Sequence, residues 1–316
     1  MGPRPSARRA LLLGAGCGVA LTVLESTAPR GWWGGALTLV HLLPVALAVV
    51  VGGPLAGAVA TLVAMVAAVG IEAEGGAAAL VIALKYGAPG AVLGAGLARR
   101  LSLTVTTVTT TGVALVSLFV LLWALAPSGI TPLVYLERQL AAHAAEFEGW
   151  PARMGGAGEG GVWAAEAARF VVATLRLAGP GMIGLGVFAG VVANYVLARV
   201  CLRGLDGFRP FATEAVPDHV VWAVILAGGL VASGRPAPEA LGLNLLLVLM
   251  PLYAIQGLAV FRHFFQRIGV PRVLQAVSFG LFALQPVLLV AVSCIGLSDL
   301  WIDFRKIRQA PTAASG

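Results

Sequence analysis

Apolar runs close to twenty residues long alternate along the chain with short polar connections. That rhythm predicts helices crossing a bilayer, because spanning about 30 Å of hydrocarbon takes roughly 20 apolar residues per helix. Nine runs fall at 10–24, 36–51, 54–71, 77–97, 103–126, 178–199, 218–233, 241–261 and 273–298. The second and third are joined only by Gly52-Gly53-Pro54. The expected fold is therefore all-α, a polytopic transmembrane helix bundle of about nine spans, or eight if Pro286 breaks the last run into a hairpin or re-entrant pair. Such a break is allowed only where protein buries the freed backbone groups. The long connection at 127–177 has its own pattern. Leu133, Leu136, Leu140, Ala144 and Phe147 recur at helical spacing against Glu137, Arg138, Glu146 and Glu148, which predicts an amphipathic helix on the membrane or capping the bundle. A Gly-rich break follows, and Trp163, Ala167 and Phe170 predict a second interfacial helix with Glu166 and Arg169 on its wet face.

Composition agrees with this pattern, for 59% of the 316 residues are hydrophobic and 11% charged, which leaves no soluble domain. The net charge of +7 does not point to nucleic acid, because the arginines sit in short connections and form no continuous basic face. They fall in every second connection, at Arg4, Arg8 and Arg9, at Arg99 and Arg100, at Arg199, Arg203 and Arg209, and at Arg262, Arg267 and Arg272. The positive-inside rule assigns those connections and the amino terminus to the cytoplasm. With two lysines among many arginines and an Ala- and Gly-rich chain, the expected location is a bacterial inner (cytoplasmic) membrane. Nine single crossings would then leave Arg305, Lys306 and Arg308 outside, against the rule. The first run resembles a signal peptide in its basic start, and is taken as a retained helix. Cys17, Cys201 and Cys294 are scattered and odd in number, and offer neither a disulfide framework nor a metal spacing.

Polar residues within apolar runs are the candidates for function. Lys85 lies about nine residues from the exterior end of its run, roughly 13 Å deep at 1.5 Å per residue. A lysine at helix centre costs about 2.5–3.5 kcal/mol, so it must face a cavity, a carboxylate or a ligand. Either it snorkels outward or pairs with Glu72 or Glu74, or, with Tyr86 beside it, it binds an acidic or carbonyl group of a solute entering from outside. His41 needs a partner at membrane depth, as a packed core residue or as a ligand group. Asn244 and Gln256 share one run and Gln275 and Gln285 the next, so their amides can bond across that helix pair or meet a ligand. The threonines Thr104 to Thr111 can bond carbonyls one turn back. Ala10, Gly14 and Gly18, four apart, allow close approach of another helix, from within the chain or from a partner. There is no phosphate-binding loop, no His and Glu metal spacing and no Ser, His, Asp set, and with 4 histidines the chain offers no catalytic residue and no cofactor site.

The segment Ile295-Gly296-Leu297-Ser298-Asp299-Leu300-Trp301-Ile302-Asp303-Phe304-Arg305-Lys306, with Asn244, Ile255-Gln256-Gly257, Pro180 and the Phe208-Arg209-Pro210-Phe211 to Pro217 loop, resembles the YybS-like predicted bacterial membrane proteins, domain of unknown function 2232. The likeness covers most of the chain and implies no activity. His41-Leu42-Leu43-Pro44, Gly52 to Gly57 and the Gly87 to Gly96 stretch are similar to the S components of energy-coupling-factor transporters. That second likeness implies a six-helix bundle capturing a small solute from outside and docking, through small residues of its first helix, on a transmembrane coupling subunit with ATPases. Ala10, Gly14 and Gly18 would then be the docking face and Lys85 would lie near the solute. The chain departs from that pattern in about three extra helices and the exterior insertion.

The implied organisation is an S-component-like membrane portion at 1–203 including the insertion 127–177, further membrane helices at 204–298 and a polar tail at 299–316. Small-solute binding and uptake with a separate energising module is the expected function. The alternative is a non-transporting scaffold acting through the carboxy-terminal helices and the tail residues Asp299, Asp303 and Arg305. Expected partners are the lipid bilayer and that coupling module, with no nucleic acid. Composition says nothing of oligomeric state.

Overall fold

A computed structural model describes residues 6–27, 40–71, 75–148, 159–202 and 207–306. These residues are helical with no strand among them. The chain divides into two compact units, Met1–Arg99 with Thr107–Arg203, and Arg100–Thr106 with Gly204–Gly316.

The first unit contains α1 (Ala7–Thr27), α2 (Leu43–Ile71), α3 (Gly75–Val81, a π-helical turn Ile82–Gly87, and Ala88–Ala98), the greater part of α4 (Leu103–Leu125), α5 (Pro132–Glu148) and α6 (Glu159–Cys201). α2 is a hairpin of two arms, because Gly53 leaves the helical region at φ 79 and ψ −177, a conformation essentially open only to glycine, and Pro54 begins the return. Val49 of the first arm lies against Gly57 of the second, which a straight helix could not bring together. The remaining packing is set by glycines. A Cβ on Gly14 would sit 2.6 Å from the Ala56 carbonyl and one on Gly18 2.6 Å from that of Ala60, so α1 lies along the second arm. Gly90 and Gly94 of α3 pass Val45 and the Ala46 carbonyl of the first arm in the same way. The stripe of Ala10, Gly14 and Gly18 is thus filled from inside the chain and is not an open docking face.

α5 is the amphipathic helix expected, with Leu140 seated on Gly179 of α6 and Ala144 buried. The second interfacial helix is not separate. Residues 159–201 form one element, bent at Ala178 ahead of Pro180, so Trp163 and Phe170 are exposed on an extension of the span.

The second unit contains α7 (Val220–Ala232), α8 (Pro236–Arg267), α9 (Arg272–Leu284) and α10 (Pro286–Ile302). α8 is its spine. α7 runs antiparallel along the first half, with Gly242 against the Ala227 carbonyl, and α10 antiparallel along the second, with Gly257 and Gly296 admitting the carbonyls of Val292 and Tyr253. α9 packs by its aromatic face, Phe282 on Phe261 with ring centres 4.9 Å apart and Phe279 on Phe265 at 5.9 Å.

By length and composition, five helices among the described residues can cross a membrane: Leu43–Ile71, Gly76–Ala98, Leu103–Leu125, Leu177–Cys201 and Pro236–Arg267. A sixth is added if the bent pair Arg272–Phe282 and Val287–Ile302 counts as one. Three of the nine expected runs differ, among the described residues, from a single straight span. The run 36–51 yields helix only from Leu43 among the described residues, and Val220–Ala232 has 13 residues, short of a full span. The run 273–298 turns by 105° at Gln285, which is extended at φ −102 and ψ 106 because Pro286 excludes the α conformation from the residue before it.

Candidate functional site

Within the first unit a cavity of about 320 Å³ opens between the entry to α2, the π-turn of α3, and the walls of α4 and α6. Its polar groups come from His41, Lys85, Tyr86 and Asn194, and its walls include Leu42, Leu118, Leu121, Val187 and Val191. The π-turn has a local cause. Pro89 has no N–H for the carbonyl one turn back and its ring presses on it, and a wider turn relieves both, with Ala88 bonding to the Ala83 carbonyl five residues earlier. That insertion shifts the register on either side and sets Lys85 and Tyr86 side by side at the cavity.

The Tyr86 ring is buried and stacks on the buried His41 ring, 4.9 Å between centres and 17° between planes. The Lys85 ammonium lies 4.9 Å from the Tyr86 ring centre. The lysine is exposed where it meets the cavity, and among the described residues no carboxylate pairs with it. Glu72 and Glu74, the partners expected, lie outside the described residues. On the α6 wall the Asn194 amide donates to the Gly190 carbonyl at 2.8 Å. Gly186 and Gly190 line the cavity one turn apart, and a Cβ on either would meet nothing within 4 Å. Unlike Gly14 or Gly94, these two glycines admit no neighbour, and the space in front of them is the cavity.

The second unit holds a buried polar network. Arg305 donates through Nη2 and Nε to Asp299 Oδ2 at 2.7 and 3.2 Å, and through Nη1 to the carbonyls of Ala212 and Glu214 at 2.7 and 2.8 Å. Gln256 donates to the same Asp299 oxygen at 3.1 Å and accepts from the Val216 amide at 2.9 Å. The Glu214 carboxylate accepts from the amides of Leu103 and Thr104, at 2.8 and 3.0 Å, and from the Thr104 hydroxyl at 2.9 Å. It thereby satisfies donors that the first turn of a helix leaves open and lies at the positive end of the α4 dipole.

Three of the five ligand-binding candidates, His41, Lys85 and Tyr86, thus meet at one cavity. Asn244 and Gln256 do not. Asn244 donates to the Ala240 carbonyl of its own helix at 2.6 Å, and Gln256 belongs to the second-unit network. Gln275 does bridge a helix pair, accepting from Arg262 and donating to the Val270 carbonyl at 2.6 Å, though without an amide opposite. Asp299 and Arg305, read as tail residues, are buried and paired with each other, while Asp303 takes the left-handed conformation, φ 46, that ends α10. Thr104 bonds to Glu214, and the hydroxyls of Thr110 and Thr111 have no hydrogen-bond partner among the described residues. Sequence reasoning missed Asn194, although a lone amide within an apolar run is the same signal that marks Lys85. It also missed Glu214, for which a carboxylate in a short connection gives no sign. Among the described residues no group of three His, Cys, Asp or Glu is placed to hold a metal ion.

Described residues that are helical without a strand, with several span-length apolar helices among them, define an integral membrane protein. Residues 35–300 match the family described as predicted membrane protein, DUF2232, and the chain belongs to that family. No curated protein and no solved structure matches it.

Proposed function

We propose that the first unit captures a small solute from the exterior side of the membrane and serves as the recognition component of an uptake system energised by a separate module. The observation that carries this reading is the convergence of His41, Lys85 and Tyr86, from two elements, on a cavity kept open by Gly186 and Gly190. Depth supports the direction. Lys85 lies nine residues in from Gly76 and Gly186 nine in from Leu177, each about 13 Å from the end that the arginine pattern assigns to the outside. The cavity is at the lower end of the roughly 300–1,000 Å³ range of small-molecule sites. The likeness of the amino-terminal pattern to S components favours uptake. The stripe of α1 is occupied, so an energising subunit docks elsewhere on this reading. The scaffold alternative has no comparable support, since Asp299 and Arg305 turn into their own unit. We read the protein as a binder and not an enzyme.

Gly190→Leu would fill the cavity from a position where added atoms meet no neighbour. Native mass spectrometry of the protein purified from its own membrane in mild detergent is expected to show a small-molecule adduct on the wild type and none on the variant. An adduct of equal occupancy on both would remove the cavity from the proposal. Recovery of a transmembrane coupling subunit with ATPases in the same preparation is the expected sign of the energising module.

A further inference from the structure

We infer that the solute bound in this cavity is a small organic monoanion, a single carboxylate on an apolar body; the inference rests on the proposed solute-binding role and names its ligand class. Among the described lining residues Lys85 is the one with a fixed charge, and none carries a carboxylate. An ammonium at the edge of an apolar-walled cavity, with no carboxylate paired to it among the described residues, repels cations and attracts an anion. One lysine is a compact point charge, in contrast to the forked and multiple cations that recognise phosphate chains, so the complement is one negative charge.

Backbone geometry adds to the same sign. The first arm of α2, Leu43 to the Gly53 break, begins where His41 and Leu42 line the cavity, so the positive end of its dipole faces the space in which Lys85 stands. The rest of the lining sets the body of the ligand. Leu42, Leu118, Leu121, Val187 and Val191 offer apolar contact, and the stacked rings of His41 and Tyr86 line the same space. A strongly hydrated dianion or a sugar would leave most of its polar groups without partners on these walls.

The carboxylate can belong to an aqueous solute or to a membrane fatty acid, and the test separates the two. Naphthoate, the neutral naphthamide and the cationic naphthylmethylamine are titrated onto full-length protein in detergent micelles, followed by tryptophan fluorescence and thermal shift, with palmitate as competitor. Naphthoate is expected to bind at least tenfold more tightly than either isostere. Lys85→Met is expected to abolish that preference while leaving naphthamide affinity within about twofold, and Gly190→Leu to abolish binding of all three. Displacement of naphthoate by palmitate below its micellar concentration would assign the carboxylate to a lipid, and its failure to displace would assign it to an aqueous solute; both outcomes keep the monoanion. Naphthamide or the amine binding as well as naphthoate, with loss in Gly190→Leu, overturns the ligand class and leaves the binding role standing. Binding that Gly190→Leu does not change places the ligand outside the cavity and overturns both.

Discussion

Arg305 and Asp299 are each nearly excluded from solvent, with side chains 2% and 4% exposed, so neither charge is tolerable without the other. Removing one partner of a buried pair costs about 3–5 kcal/mol, chiefly because the remaining charge is stranded. Arg305→Met is therefore expected to lower the melting temperature in detergent sharply, and Asp299→Asn less, because the amide oxygen still accepts from the guanidinium and from Gln256. Equal, small shifts would show that the pair is solvated after all. This pair also marks where residue-level reading stops. Lys85, His41 and Tyr86 are legible because a polar group at membrane depth requires a reason, whatever the fold. Asp299 and Arg305 stand in a polar stretch where charge is ordinary, and only the return of the Phe211 to Val216 segment against them makes them interior.

At the level of elements, two glycine and proline sites decide more than the long apolar runs do. The Gly52-Gly53-Pro54 connection is readable from sequence because it places the residue needed for positive φ beside the residue that cannot continue a helix. Gly53→Ala is expected to destabilise the protein by about 1–3 kcal/mol, the cost of holding a side chain in that region of backbone space, and to loosen the α2 arms. Thermal unfolding together with proteolysis between the arms measures it, and an unchanged midpoint would mean that the turn is not under strain. The π-turn was not readable in the same way. Pro89 announces a disturbance, but a kink, a break and a widened turn are equal solutions to a missing N–H, and the choice depends on what α3 packs against. The 105° turn at Gln285 is an intermediate case. The proline gives its position, while the packing of Phe279 and Phe282 gives its direction.

For the whole molecule, hydropathy identifies the solvent but does not by itself fix the number of crossings, since it cannot tell an arm that folds back from the end of a span. Orientation is an electrostatic matter and is open to direct mapping. With Cys17, Cys201 and Cys294 replaced by serine, a single cysteine at Ser128, in the turn between α4 and α5, is expected to react with an impermeant maleimide in intact cells. One at Gln266, among Arg262, Arg267 and Arg272, is expected to react only after permeabilisation. The reverse pattern would invert the protein in the membrane, and with it the side from which the cavity is filled.

The network of the second unit also sets a timetable. Leu103 and Thr104 must wait for Glu214, some 110 residues later in synthesis, and the loop carrying Glu214 waits a further 91 for Arg305. Until then the amides of Leu103 and Thr104 lack the carboxylate that caps them in the finished fold. The closing of this unit is thus a late event in the birth of the chain. A ribosome that stalls before Arg305 releases a product with an exposed carboxylate at Asp299 and an open loop, features that a quality-control protease can recognise.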